Sequence, residues 1–285
     1  MKQICIFLLA IAMAVGFSVQ VDAALQVIGT AIYDSDGDGT PESYNLIYDN
    51  DSPFGSILWL DYTNSANEWQ NQVNWAAGLN SGVLTYNLNP GIIVTWTGVW
   101  RLPLTADSAY VWGYDGSTSA GYNITSSEMG HLFYEGLGNL GYYDTDGNEL
   151  GCSPDPHCLR NTGDFLNLQP YDYWSGTEYA ADPVGAWNFG FSDGLQDKNP
   201  KNTTNNYALA VRPGEIAAVP AYLGDINEDG QIDISDVILV LRIALGLDPV
   251  APCSNINGDS IVDISDVILT LRMALGLDEW IPCQE

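Results

Sequence analysis

Apolar positions follow three different rhythms along the chain. Residues 1–23, MKQICIFLLAIAMAVGFSVQVDA, form an apolar run behind a single Lys2 and end in small residues at Val21-Asp22-Ala23. This is the pattern of a secretory signal removed before Ala24, and its apolar core is short for a bilayer span. From 24 to 212 the rhythm is short and mixed. Residues 186–191 alternate Trp187, Phe189 and Phe191, and residues 207–211 alternate Tyr207, Leu209 and Val211, the period of half-buried antiparallel strands. Residues 67–79 space Trp69, Val73 and Ala76 along one helical face. Residues 125–137 open T-S-S-E, where Thr125 can cap and Glu128 can reach back, with Met129, Leu132 and Phe133 as the apolar face. Between the two strands runs SDGLQDKNPKNTTNN, a polar loop too long for a tight hairpin. The pattern predicts an α+β domain with short antiparallel strands and two helices.

The third rhythm is a repeat. After a linker expected over 213–223, PGEIAAVPAYL, residues 225–253 align with 255–283 at 19 of 29 identical positions without a gap. Each unit opens with an acid-rich loop and closes with a helix, DVILVLRIALG or DVILTLRMALG, that is apolar on nearly every side. Such a helix needs cover on more than one face. One face meets the sister repeat, and the rest meets either a partner domain or the chain's own large domain. Gly246 and Gly276 end the helices by allowing left-handed backbone.

In the first loop, D-I-N-E-D-G-Q-I-D-I-S-D, side-chain oxygens stand at positions one, three, five, nine and twelve: Asp225, Asn227, Asp229, Asp233 and Asp236. Gly230 allows the sharp turn at position six, and the Gln231 carbonyl falls at seven. This spacing suits a hard cation with six or seven oxygen ligands, so calcium is expected. The second loop keeps Asn257, Asp259, the Ile261 carbonyl, Asp263 and Asp266. Asn255 removes one charge there and Ser260 replaces the glycine, so the second of the two ions should bind more weakly. The alternative for either loop is an acidic turn that only caps its helix. A further stretch, D-S-D-G-D-G-T-P-E, sets Asp34, Asp36, Asp38 and Glu42 at loop spacing, either as a calcium loop or as a solvated turn before the first strand.

Charge narrows the partners. Asp and Glu number 36 against 8 Lys and Arg, a formal net charge of −28, and loss of the leader removes one of each sign. That field repels nucleic acid and anionic lipid, and no membrane span is expected in the mature chain. Four cysteines remain. Cys253 and Cys283 close the two repeats at equivalent positions of GLDxxxPC and are expected to pair. Cys152 and Cys158 flank SPDPH and are expected to form a local disulfide, since C-x5-C with the single His157 is not a zinc spacing. Leader and cysteines together predict a secreted protein, extracellular or at the cell surface.

The stretch G-D-I-N-E-D-G-Q-I-D-I-S-D-V-I-L-V-L-R-I-A-L-G resembles a type I dockerin. The resemblance implies a small all-α module of paired EF-hand-type loops over 224–285, docking onto a cohesin-like domain or a cell-surface scaffold. Matched residue by residue, the partner-contacting positions are Ile234, Ser235, Leu241 and Arg242, then Ile264, Ser265, Leu271 and Arg272. Over 44–214, Trp100-Arg101-Leu102-Pro103, Tyr173-Trp174-Ser175 and Ala210-Val211-Arg212 resemble a bacterial extracellular family related to the C-terminal domain of a collagen-like adhesin. That resemblance implies a C-type-lectin-like fold over 24–212 and, in the adhesin, polysaccharide ligands. It extends more remotely to formylglycine-generating enzymes, whose cysteine chemistry has no counterpart between Cys158 and the repeat.

No G-x-S-x-G, H-E-x-x-H or phosphate-loop motif is present, and no flanking motif singles out a carboxylate pair for glycoside hydrolysis. His131, beside Leu132 on the expected helix, reads as a structural histidine. Binding is therefore expected over catalysis: a secreted, non-catalytic recognition or adhesion protein, carbohydrate-directed, with loop 192–206 and Tyr173, Trp174, Trp187, Asp193, Asp197 and Asn199 as the candidate sugar surface. The competing reading of these aromatics is core. The competing function is a subunit of an extracellular polysaccharide-degrading complex with glycoside hydrolase activity.

Overall fold

The computed structural model describes residues 25–152, 158–218 and 222–283; the expected leader and His157 lie outside them. Strands β1 (Gln26–Tyr33), β2 (Glu42–Asp49) and β3 (Ile57–Asn64) form an antiparallel meander. Helix α1 (Trp69–Gly78) follows, then β4 (Thr85–Leu88) and β5 (Ile92–Trp96). The two-residue strands β6 (Trp112–Gly113) and β7 (Ala120–Gly121) precede the single turn α2 (Glu128–His131). The hairpin partners β8 (Asp172–Glu178), β9 (Gly185–Gly190) and β10 (Gln196–Pro200) lead to the long β11 (Ala208–Ala218), and helices α3 (Ile234–Ala244) and α4 (Ile264–Ala274) end the chain. One sheet has the order β4-β1-β2-β3-β11-β5 and the other β6-β7-β10-β9-β8.

The first sheet is covered on both sides, which its sequence shows only residue by residue. Successive side chains of a strand point to opposite faces. Ile47, Ile57, Trp59 and Val211 accordingly join a core with Met129, Phe133, Phe189 and Phe191. Their neighbours Leu46, Leu58, Leu60 and Ala210 join a second core with Ile28 and Trp100 on the other side. Burial on both faces turns alternation into a continuous apolar run, as in I-L-W-L of β3. In β9 every residue from Gly185 to Gly190 is buried for the same reason.

The chain is thus mostly β, which corrects the expected α+β class with its C-type-lectin-like domain and all-α EF-hand-type module. Among the described residues the four α-helices span 4 to 11 residues each. Residues 125–137 give one α-turn and a π-turn, Leu132–Gly136, and Glu128 bonds Arg101 rather than reaching back to a cap at Thr125. Ser127 caps instead, its Oγ accepting from Gly130 N–H. The supposed loop 192–206 contains β10, whose Q-D-K-N-P has no apolar alternation and becomes a strand by pairing with β9. The expected linker begins inside β11, where 214–218 pair with 92–96. In the C-terminal repeat each loop is followed by one helix, and among the described residues no helix leads directly into either loop. Gly246, Pro249 and Pro252 crowd the ten residues between α3 and the second loop and leave no helical turn to enter it. No helix among the described residues is long and apolar enough to cross a membrane.

The Arg101 of W-R-L-P is structural. Its guanidinium grips fully buried Glu128 at 2.7 Å on both carboxylate oxygens, and the same carboxylate accepts Leu104 N–H at 2.6 Å. Removing one member of such a pair leaves the other buried and unpaired. Glu128→Ala should therefore destabilise the folded chain by about 3–5 kcal/mol in urea unfolding; a loss under about 1 kcal/mol would show the pair to be dispensable.

Candidate functional site

Each C-terminal helix starts from a carboxylate pair. Asp233 Oδ1 accepts Ser235 N–H at 2.7 Å while Asp236 Oδ2 accepts Asp233 N–H at 3.1 Å, and Asp263 with Asp266 repeats the arrangement at 2.7 and 3.0 Å. These are capping boxes, with aspartate in both roles. The Ser235 hydroxyl also donates to Asp233 and holds its carboxyl below the usual range, with the Ser235 N–H acting the same way. Asp233 and Asp263, matched to ligand position nine, are thus engaged at the helix ends.

The remaining oxygens line the loops. Asp236 Oδ1 accepts the N–H groups of Ile226 and Asn227 at 2.8 and 3.2 Å, and Asp266 Oδ1 those of Ile256 and Asn257 at 2.7 and 3.2 Å. Asn227 bonds Asp229 at 2.9 Å and Asn257 bonds Asp259 at 3.0 Å. Asp225 breaks the symmetry. Its Oδ2 accepts Gly230 N–H at 3.0 Å, but its buried Oδ1 has no partner. Burial raises the Asp225 pKa, and the like charges of Asp236 and Asp229 add to it. In the second loop Asn255 takes this place and its Oδ1 accepts Gly258 N–H at 2.9 Å. The first loop therefore has a carboxylate oxygen that a cation would satisfy, and an oxygen donor set chemically suited to calcium. The carbonyls of Gln231 and Ile261 occupy the sequence positions expected to complete each set.

Two left-handed positions recur in each loop, and each loop gives glycine to one of them. Gly230 has φ 80° and its counterpart Ser260 has φ 78°, whereas Glu228 has φ 60° and its counterpart Gly258 has φ 73°. The expected discomfort of Ser260 is real, but Glu228 carries the same burden in the first loop.

Between the helices, Val237, Val240, Val267 and Met273 pack with Ile232 and Ile256. The other face is apolar and open. Ile238 and Ile268 are each 52% exposed, and Leu245 and Leu275 each 65%. With Ile234, Leu241, Ile264 and Leu271, they form two matched stripes at i, i+4, i+7 and i+11. The matched partner positions divide here. Ile234, Leu241, Ile264 and Leu271 are on the stripes, Ser235 and Ser265 are bonded within their caps, and Arg242 and Arg272 are held by Asp248 and Asp278 at 2.6 Å. Ile238, Leu245 and their counterparts were missed, although the fully apolar helix sequence was the signal. The cysteines are bonded as Cys152–Cys158 and Cys253–Cys283. The second bond lies beside the Leu223 N–H bond to the Ile281 carbonyl, so the repeat's two ends are held together.

The proposed sugar surface is rearranged. Tyr173, Trp174 and Trp187 are fully buried, and the indole N–H groups donate to the Asn67 carbonyl and to Asp107, so none offers a ring face. Asp193 accepts Leu195 N–H within its turn, and Asn199 bonds Asn206. Asp197 is half-buried beside Tyr110, whose hydroxyl donates to it at 2.9 Å; burial and then Asp197 push the Tyr110 phenol up to about 12. Exposed Trp112 stands on the edge strand β6 of the same sheet, edge-on to Tyr114. The signal missed was Y-V-W-G-Y at 110–114. The stretch at 34–42 is the turn joining β1 to β2 rather than a turn before the first strand. Asp34, Asp36 and Asp38 have ligand atoms within 4.8 Å of one another there, while Glu42 is held by Ser35.

Replacing the non-glycine residue at either left-handed position should relieve similar strain. Ser260→Gly and Glu228→Gly are each expected to raise stability by up to about 1 kcal/mol, read as a rise in melting temperature; destabilisation by both would contradict it. Compared with known proteins, the chain matches no family model, no curated protein and no solved structure.

Proposed function

We propose that this chain is an extracellular, non-catalytic recognition protein that docks onto a partner protein through its C-terminal repeat, with calcium ordering the two loops. The observation that carries the reading is the pair of equal apolar stripes left open on α3 and α4. Isolated exposed apolar residues are ordinary, but contiguous apolar surface marks a site of association. The match between repeats suits a partner that is a cohesin-like domain, in the manner of the dockerin repeats the sequence resembles. At the first loop calcium would be held by Asp225, Asn227, Asp229 and Asp236 with the Gln231 carbonyl. At the second it would be held by Asn255, Asn257, Asp259 and Asp266 with the Ile261 carbonyl. The ion supplies positive charge where acids crowd, and Asp233 and Asp263 continue to cap the helices.

The β portion is proposed to bind polysaccharide at the surface carrying Trp112 of the edge strand β6 and Tyr110, which bonds Asp197 of β10, since aromatic faces beside a carboxylate offer both halves of a sugar-binding surface.

Calcium titration of the full chain is expected to show two binding events, the first loop tighter, and chelator should lower the melting temperature of the repeat. Unchanged melting in chelator would remove the ordering role. With a panel of cohesin-like domains on a biosensor, the pair Ile238→Glu and Ile268→Glu should reduce calcium-dependent affinity by roughly 100-fold, about 2.7 kcal/mol. Binding that survives the pair would locate docking elsewhere. On a glycan array, Trp112→Ala should lower retention about tenfold, about 1.4 kcal/mol; equal retention would clear β6 of the role.

A further inference from the structure

A second group of metal-ligating side chains lies outside the repeat, where the end of β2 meets α2. Asp49, the last residue of β2, is 1% exposed. Its Oδ2 accepts the Trp59 indole N–H at 3.1 Å, while its Oδ1 is buried without a hydrogen-bond partner. That oxygen lies 3.9 Å from His131 Nε2, and Asp51 Oδ1 lies 3.0 Å from the same nitrogen. The three donor atoms fall within 4.8 Å of one another. On the far side of the ring, His131 Nδ1 is 2.9 Å from Glu135 Oε2, one helical turn on. Asn50 Oδ1 and Ser52 Oγ, in the same short turn, are also buried and unpartnered. Burial pushes the Asp49 carboxyl up to about 6.

The outer partners say how the group is used. A metal-bound imidazole ordinarily donates its other N–H to a carboxylate, which fixes the tautomer and turns the free nitrogen toward the ion. Glu135 stands where that carboxylate belongs, leaving Nε2 to face Asp49 and Asp51. Trp59 does the corresponding service for Asp49, fixing one oxygen and leaving the other open. Asp49 Oδ1 shares its surroundings with the Asp51 carboxyl, and two carboxylates set together out of water need a proton or a cation between them.

We propose that Asp49, Asp51 and His131 bind a divalent transition-metal ion of the zinc class, with Glu135 and Trp59 as positioning residues. One imidazole nitrogen and two carboxylate oxygens form a donor set for zinc and its neighbours, while calcium and magnesium prefer oxygen alone. Three protein donors leave a position open to a small ligand. Asp51 and Glu135 line an adjoining cavity of about 260 Å³, shared with Asp164, from which such a ligand can approach. The site owes nothing to the C-terminal loops, whose donors are all oxygen.

The test uses the full chain, stripped of metal and returned to millimolar calcium so that oxygen-only sites are occupied. Calorimetric titration with zinc should give one site per chain in the micromolar range or tighter. Cobalt in its place should give visible absorption bands of a low-coordinate nitrogen and oxygen shell. Asp49→Asn and His131→Gln, close in shape to the residues they replace, should weaken zinc by roughly 100-fold, and Glu135→Gln by roughly tenfold. Asp51 is half exposed, so Asp51→Asn keeps the fold and is the deciding variant should either buried change unfold the chain; it too should lose roughly 100-fold. Zinc binding no tighter than millimolar, displacement of zinc by calcium, or wild-type affinity in Asp51→Asn would each overturn the proposal.

Discussion

An acid surplus governs how this molecule can be built. With 36 acidic residues against 8 basic ones, a carboxylate taken out of water can seldom expect a cationic side chain. Glu128 has the guanidinium of Arg101. Three others draw on the backbone: Asp61 accepts the N–H groups of Leu166 and Asn167, and Asp236 and Asp266 each accept three N–H groups from their own loops. Such bonds satisfy a buried carboxylate as well as a side-chain partner does. Among the described residues, the buried carboxylate oxygens without any donor are Asp49 Oδ1 and Asp225 Oδ1. Two of the three proposed cations are placed at them, of different classes because one is faced by an imidazole and the other only by oxygens.

The same economy ties the two parts of the chain. The first loop meets the β portion through a hydrogen bond from Gly91 N–H, in the turn between β4 and β5, to the carbonyl of Glu228. Glu228 is the residue that the loop holds in a left-handed conformation. Order in the loop and its seating against the β portion thus share one residue. The apolar stripes on α3 and α4 stay open, and their leucines and isoleucines are kept in helical register by the caps that Asp233 and Asp263 provide.

Much of the C-terminal site was legible in the chain. A gapless repeat, a capping acid before each apolar helix and Asp or Asn at loop positions one, three, five and nine are local signals, and local geometry follows from them. What the structure corrects is the all-α EF-hand-type module that the resemblance implied, since the glycine and prolines between α3 and the second loop leave no helix leading into that loop. In the β portion the aromatic residues of Y-W-S and W-N-F were visible, but their burial depends on what packs across from them. Trp174 lies against Ala76 and Leu102, and Trp187 against Ala120, each far away in sequence.

The sequence by itself determined where the two repeat helices start, the turn glycines and the pairing logic of the last two cysteines, because each rests on neighbours within a few residues or on exact repetition. Only the tertiary structure decided that His131 stands between Asp51 and Glu135, with Asp49 behind it. His131 and Asp49 are 82 residues apart, and nothing in their local sequence links them. They meet because β2 ends where α2 packs over Trp59, and a contact made by sheet and helix packing has no periodicity to announce it.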